Sequence, residues 1–212
     1  MKLVVAISGA SGAPYAKRLL DFRAANAAGL GVQVDLVFTE TGRQVWDHEI
    51  GAPPAYPWKA WSPRDFTAPF ASGSAGYDAM IVLPCSAGAL ARIAHGLSTD
   101  LVGRAADVML KERRRLVLVL RETPLSLVHA RAIVQVTEAG AIVLPAAPSF
   151  YSRPATVEAL TYRGSLYGLP LDYKVITLLY NRKLVKTPPA TTSTVTNAPP
   201  AIVARVMGGS SG

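Results

Sequence analysis

Residues 2–22, KLVVAISGASGAPYAKRLLDF, decide the fold. Leu3–Ile7 is a short, unbroken apolar run closed by Ser8-Gly9, the pattern of a strand buried on both faces. From Pro14 to Ala25 the apolar residues resume at helical spacing, with Pro14 in the first turn and Tyr15, Leu19 and Leu20 on one face. Strand, small-residue turn and helix in this order open a βαβ unit, whose next strand lies parallel to the first.

The alternation continues along the chain. Val32–Thr39 reads as a second strand and Arg43–His48 as a short helix. Positions 52–76 are rich in Pro, Ala, Gly and Ser and read as irregular, with a turn at Ser72-Gly73-Ser74. Ala79–Leu83 reads as a third buried strand ended by Pro84-Cys85-Ser86, and helices are predicted over Ala87–His95 and Leu101–Lys111. Leu116–Leu120, Ser126–Ala139 and Ala141–Leu144 add a strand, a helix and a strand. The prediction is an α/β fold with a doubly wound parallel sheet. Ligands of such sheets bind beyond the carboxyl ends of the strands. The candidate loops are therefore Ser8–Pro14, Thr39-Glu40, Pro84–Ala89, Arg121–Pro124 and Pro145–Tyr151.

Half of the 212 residues are hydrophobic, enough for one sizeable α/β core or a domain with an appendage. No stretch approaches the ~20 uninterrupted apolar residues of a membrane span, and the run after Lys2 is too short for a secretory core. Cys85 is the single cysteine, so no intrachain disulfide can form. His48, His95 and His129 are scattered, without metal-ligand spacing. A cytoplasmic protein without a metal is the expectation. The net charge of +8 suits anionic ligands. Basic residues do not alternate with aromatics as in a nucleic-acid groove, and Lys111-Glu112-Arg113-Arg114-Arg115 reads as a solvated helix end.

The first loop holds Gly9 and Gly12 but neither a G-x-G-x-x-G nor a P-loop Lys-Ser/Thr, so a dinucleotide site is poorly supported. Ser11 at the helix start can cap its N–H groups or donate to a phosphate. A capped structural turn explains the loop equally well. Arg121 directly after a buried strand suits a phosphate, since its planar fork makes two charge-assisted bonds. Glu122 beside it can act as acid or base if enclosed; the alternative is a surface Arg–Glu pair. Arg104 and Lys111 stand seven apart on one helical face, either for a second anion or simply solvated. Cys85 reads as a small packed hydrophobe rather than a nucleophile.

Three stretches, SGASGAPYAKRLL, LPCSAGALARIAHGLSTDLVGRAADVMLKERRRLVLVLRETPLSLVHARAI and GAIVLPAAPSFYSRPATVEAL, together resemble the flavin prenyltransferase (UbiX-like) flavoproteins over about residues 2–160. The resemblance implies a flavodoxin-like Rossmann fold and a homo-oligomer, a trimer or a dodecamer of trimers, with sites between subunits. It also implies metal-independent transfer of a dimethylallyl group from dimethylallyl monophosphate to N5 and C6 of reduced FMN. The product would serve a partner decarboxylase. By position, Gly9, Ala10 and Ser11 would lie against FMN, with Ser11 near the reacting groups; Thr39, Ser86, Ala87, Gly88, Ala89 and Arg121 would also bind it. Glu122 would manage protons with the leaving phosphate. Glu49, Phe66, Arg104, Lys111, Tyr151 and Arg205 would serve the prenyl-phosphate pocket, partly across a subunit boundary. Two other readings share these features: an FMN-holding scaffold without turnover, and a flavin-dependent cysteine decarboxylase. PCSAGAL and RETPL match the prenyltransferase pattern instead.

The chain departs from the family at Phe66, where Trp is frequent, and in the Ser86–Ala89 loop, which lacks a hydroxyl at its end. It departs most after residue 160. Thr156–Leu160 and Ala201–Val206 match the two sides of the family's C-terminal helix, but about forty residues separate them. Within that stretch, GSLYGLPLDYKVITLLYNRKLV resembles the interdomain segment of periplasmic sugar-type solute-binding proteins. The expected organisation is a flavin-binding domain over 1–160, an inserted or chimeric segment over 161–200, and a helix remnant with a Gly/Ser tail over 201–212. Leu171–Tyr180 reads as a strand and 187–200 as a linker.

Overall fold

The computed structural model describes residues 1–26, 31–52 and 55–147, and the backbone of 161–162 and 165–166. The chain divides into two compact units, Met1–Ala146 and Ala147–Gly212. In the second, β7 (Thr161–Tyr162) and β8 (Ser165–Leu166) form a small antiparallel pair. The expected strand at Leu171–Tyr180, the linker and the helix remnant lie outside the described residues.

The first unit runs β1 (Lys2–Ile7), α1 (Ala13–Ala25), β2 (Gln33–Phe38), α2 (Glu40–Glu49), β3 (Ala60–Trp61), β4 (Ala79–Cys85), α3 (Ala87–Ala94), α4 (Leu101–Lys111), β5 (Arg115–Leu120), α5 (Leu127–Glu138) and β6 (Ile142–Pro145). Two short 3-10 turns, Pro69–Ala71 and Gly73–Ala75, precede β4. The sheet order is β3-β2-β1-β4-β5-β6, parallel throughout. Leaving aside two-residue β3, this is the flavodoxin-like order, and the switch point lies between β1 and β4.

Continuous apolar runs became the central strands because both faces are covered. Val4, Ala6, Met80, Val82, Leu116 and Leu118 are fully buried, packed with Leu90 and Ile93 of α3 and Leu101, Ala105 and Met109 of α4. Burying each such Val, Leu, Ile or Met side chain contributes about 1.5–3 kcal/mol. Cys85 is buried in this core, and burial pushes its thiol up to about 12, so it packs as a neutral side chain. No helix of the described residues is long and apolar enough to cross a membrane.

The structure differs from the sequence reading at three elements. The sequence predicts an irregular segment where β3 forms, because two residues carry no periodicity; long-range bonds hold it instead. Trp61 Nε1 donates to buried Asp35 Oδ1 at 2.8 Å, and the Leu36 N–H donates to the Lys59 carbonyl at 2.9 Å. The helix expected at Arg43–His48 begins three residues earlier, at Glu40, because the Thr39 hydroxyl accepts from the Gly42 N–H at 2.9 Å and caps it. β4 continues through Pro84 to Cys85, which pairs with Leu120 after a register shift.

Candidate functional site

At the switch point the loops leaving β1 and β4 are tied together by Ser8. Its side chain is buried; Oγ donates to the Pro84 carbonyl at 2.8 Å and accepts from the Ser86 N–H at 2.8 Å. Helix α2 frames the rest of the first loop. At its start the Thr39 N–H donates to the Ile7 carbonyl at 2.9 Å, and at its end Glu49 reaches the start of α1. Gly9 is required at this approach: a Cβ there would stand 2.4 Å from Thr41 Oγ1. Gly12 adopts φ 117°, the left-handed region that favours glycine.

The expectation that Ser11 caps α1 is corrected here. Gly12 is the N-cap and no side chain of the cap position bonds back. The Glu49 carboxylate takes the first N–H groups instead, Oε2 accepting from Gly12 at 2.9 Å and from Ala13 at 2.8 Å, and Ser11 donates its hydroxyl to the same carboxylate. Burial pushes the Glu49 carboxyl up, but the Ser11 hydroxyl and the two backbone donors outweigh it. Nearby His48 adds to their effect, and the net position is below the ordinary 4.5. The positive end of α1 is thus already matched by an anion from within the chain. An anionic ligand must find its donors elsewhere on this rim.

Those donors are at hand. Ser86 caps α3, its Oγ accepting from the Ala89 N–H at 3.2 Å, while the N–H groups of Ala87 and Gly88 have no intrahelical carbonyl to bond. Gly88 is exposed whereas Ala87 and Ala89 are buried. A flat ligand approaching here meets backbone rather than side chains. Arg121 is fixed beside this turn by its N–H, which donates to the Cys85 carbonyl at 2.9 Å, and its side chain is half-buried. Glu122 is exposed and accepts from the Thr123 N–H at 3.1 Å. Thr39 is buried with its hydroxyl shared between the Gly42 N–H and Thr41 Oγ1 (3.3 Å), so the exposed Thr41 presents the outward hydroxyl.

The rim therefore brings together Gly9, Ala10, Ser11, Thr39, Glu49, Ser86, Gly88, Arg121 and Glu122. It does not bring in Lys111. That residue ends α4, just before β5, whose first residue Arg115 lies opposite Ala79 at the start of β4. Arg121 leaves the other end of β5, about 20 Å away at the rise of six strand residues. Lys111 belongs to a second polar cluster against the 3-10 turns. There Arg104 Nε donates to the Ala71 carbonyl at 3.0 Å and its Nη1 pairs with Asp107 at 2.9 Å. Arg114 Nη2 donates to the Gly73 carbonyl at 2.7 Å, Lys111 pairs with Glu112, and the Ser72 and Ser74 hydroxyls bond each other at 2.9 Å. Phe66 is half-exposed in the turn after β3. Tyr151 and Arg205 lie outside the described residues.

Sequence reasoning names Ser8 only as the start of a candidate loop and Ser72 and Ser74 only as a turn, and it gives Thr41 no part. The position of Ser8 immediately after a buried strand was the available signal, but nothing local separates it from Ser11. Among the described residues, no group of three His, Cys, Asp or Glu side chains could hold a metal ion.

The Flavoprotein family model matches residues 1–160. The chain is 41% identical over 160 residues to the flavin prenyltransferase UbiX of Methanothermobacter thermautotrophicus, covering 74% of this chain and 82% of that protein. It is similar to AnUbiX (PadA1), solved in complex with FMN and dimethylallyl pyrophosphate. That similarity has a TM-score of 0.68 and 41% identity, over 75% of this chain and 85% of the other. It is also similar to a dodecameric FMN-dependent UbiX-like decarboxylase from Escherichia coli O157:H7, with TM-score 0.67 and 39% identity over 74% and 86% of the two chains.

Proposed function

The chain belongs to the UbiX flavin prenyltransferase family of flavoproteins, and from that premise we propose that it transfers a dimethylallyl group from a dimethylallyl phosphate to reduced FMN. The single observation that carries the reading in this chain is the rim at the β1/β4 switch point. Small residues, the Ala87 and Gly88 N–H groups that lack an intrahelical carbonyl, the Thr41 hydroxyl and the Arg121 guanidinium converge there. That donor set fits a flat, phosphorylated ligand. Reduced FMN, when bound, supplies the electron-rich N5 and C6 atoms that receive the prenyl group.

The residues divide the work. Gly9, Ala10 and the turn Ser86–Ala89 offer backbone and small side chains to the ring, and Thr39 with Thr41 and Arg121 holds the polar parts of FMN. Ser11, its hydroxyl donated to Glu49, stands at the reacting groups, and its oxygen lone pairs are left to face the ligand. Glu49, held ionised by its donors, orients the Ser11 hydroxyl and is unsuited to bind a phosphate directly. Glu122 exchanges a proton with the departing phosphate. A departing phosphate also needs cations, and Arg104 and Lys111 supply them. Because Lys111 stands at the far end of its own sheet, it serves the site of a neighbouring copy, a reading supported by the dodecameric relative. Tyr151 and Arg205 complete that pocket.

The family resemblance supports the monophosphate as donor, with the diphosphate as the alternative because AnUbiX was solved with the pyrophosphate, and it supports a product consumed by a prenylated-FMN decarboxylase in the cytoplasm. The family match ends at residue 160. An inserted or chimeric 161–200, with its likeness to solute-binding proteins, and a helix remnant after it therefore rest on the sequence alone.

The test is an anaerobic incubation of the protein with FMN, dithionite and dimethylallyl monophosphate, followed by mass spectrometry of the released flavin. A gain of one prenyl unit is expected. Bound but unmodified FMN would leave a flavin-holding scaffold instead.

A further inference from the structure

The β1–β4 ladder runs in register only to the pair Ala6 and Val82. Beyond it Pro84 has no N–H to offer, and the two strands would be free to part just where their loops turn outward. Ser8 replaces the missing rungs. Its N–H donates to the Pro84 carbonyl at 3.2 Å, its Oγ donates to the same carbonyl at 2.8 Å, and Oγ accepts from the Ser86 N–H at 2.8 Å. The side chain is 1% exposed, so water does not compete for these bonds. Ser86 is in turn the cap of α3 and Gly9 follows Ser8, so one hydroxyl sets the spacing between the two loops read above as the flavin cradle.

We propose that Ser8 is a positioning residue: a buried clamp that fixes the distance between the Gly9–Ser11 turn and the Ser86–Ala89 turn, and so sets the affinity for FMN. The proposal rests on the flavin reading of the site. Removing the hydroxyl leaves the part-buried Ser86 N–H without its acceptor, and the loss falls on loop spacing rather than on the strands.

The experiment compares wild type, Ser8→Ala, Ser8→Thr and Tyr77→Phe. Tyr77→Phe removes another buried bond, from Tyr77 OH to Asp35 at 2.7 Å, away from the rim. Amide hydrogen exchange is measured without FMN, and FMN affinity by quenching of flavin fluorescence. In wild type the Ser86 amide should exchange slowly although it lies outside helix and strand. Ser8→Ala should speed exchange at Ser86–Ala89 and Gly9–Gly12 together and weaken FMN binding about tenfold, equivalent to about 1.4 kcal/mol. Ser8→Thr should restore both, and Tyr77→Phe should lower the melting temperature with FMN affinity unchanged. Fast exchange of the Ser86 amide in wild type overturns the clamp even if Ser8→Ala fails to fold. So does Ser8→Ala with wild-type affinity, or Tyr77→Phe with an equal loss of it. A clamp visible by exchange in a wild type that binds no FMN would overturn the flavin reading, and with it the function proposed for Ser8.

Discussion

The rim is built from side chains whose partners are mostly backbone, and that makes single substitutions informative. Arg121 offers a half-buried guanidinium with its backbone pinned to Cys85. Arg121→Ala should weaken FMN binding by roughly 10- to 100-fold, the range of charge-assisted bonds; unchanged affinity in a flavin titration would remove its assigned role. Glu122 is exposed and free to turn toward a ligand, so Glu122→Gln should leave FMN affinity alone while slowing transfer by about 10²-fold or more. Full single-turnover activity would dismiss it as the proton carrier. Glu49 makes a pH prediction. Its folded carboxyl sits below 4.5, because Ser11, Gly12 and Ala13 donate to the ionised form against the opposing effect of burial. A depressed carboxyl contributes stability that is present above its unfolded value and lost as pH falls through its folded one. Glu49→Gln should therefore flatten the fall in melting temperature below about pH 4.5, and an unaltered acid limb would show that the carboxylate is not held as described.

Helix α2 shows how an element positions this chemistry. Its first turn is seated on the end of β1 and its last residue on the start of α1, which is possible only because Gly42 lets the backbone close in. A Cβ at Gly42 would stand 2.3 Å from the Ile7 carbonyl oxygen. Gly42→Ala should cost about 1–3 kcal/mol and shift α2 away from the loop, seen as a lower melting temperature together with weaker FMN binding. A variant of wild-type stability would mean the approach is looser than these distances. The long apolar strands and α3, α4 and α5 were legible from the sequence because periodicity and burial agree over many residues. β3 and the first turn of α2 were not. Two residues have no period, and Thr41 and Gly42 are weak helix formers whose turn is fixed by the Thr39 cap.

For the whole molecule, the opposed positions of the two polar clusters lead to a complementation test. Ser11→Ala and Lys111→Ala should each be nearly inactive alone. Mixed oligomers should regain activity, because one copy can lend its intact Lys111 to another's intact Ser11. Mixtures as inactive as their components would place both residues in sites closed within one chain. Deleting 161–200 and joining Leu160 to Ala201 should improve assembly if that stretch interrupts the family helix. An insoluble product, by size-exclusion chromatography, would show that it belongs to the folded core. The sequence by itself determined the parallel α/β architecture and the family, since these follow from local pattern and contiguous motifs. Only the tertiary structure decided that Glu49 rather than Ser11 closes the start of α1, that Ser8 joins the two cradle loops, and that Lys111 stands away from Arg121. Each depends on which residues meet across the sheet, and separation along the chain does not encode that distance.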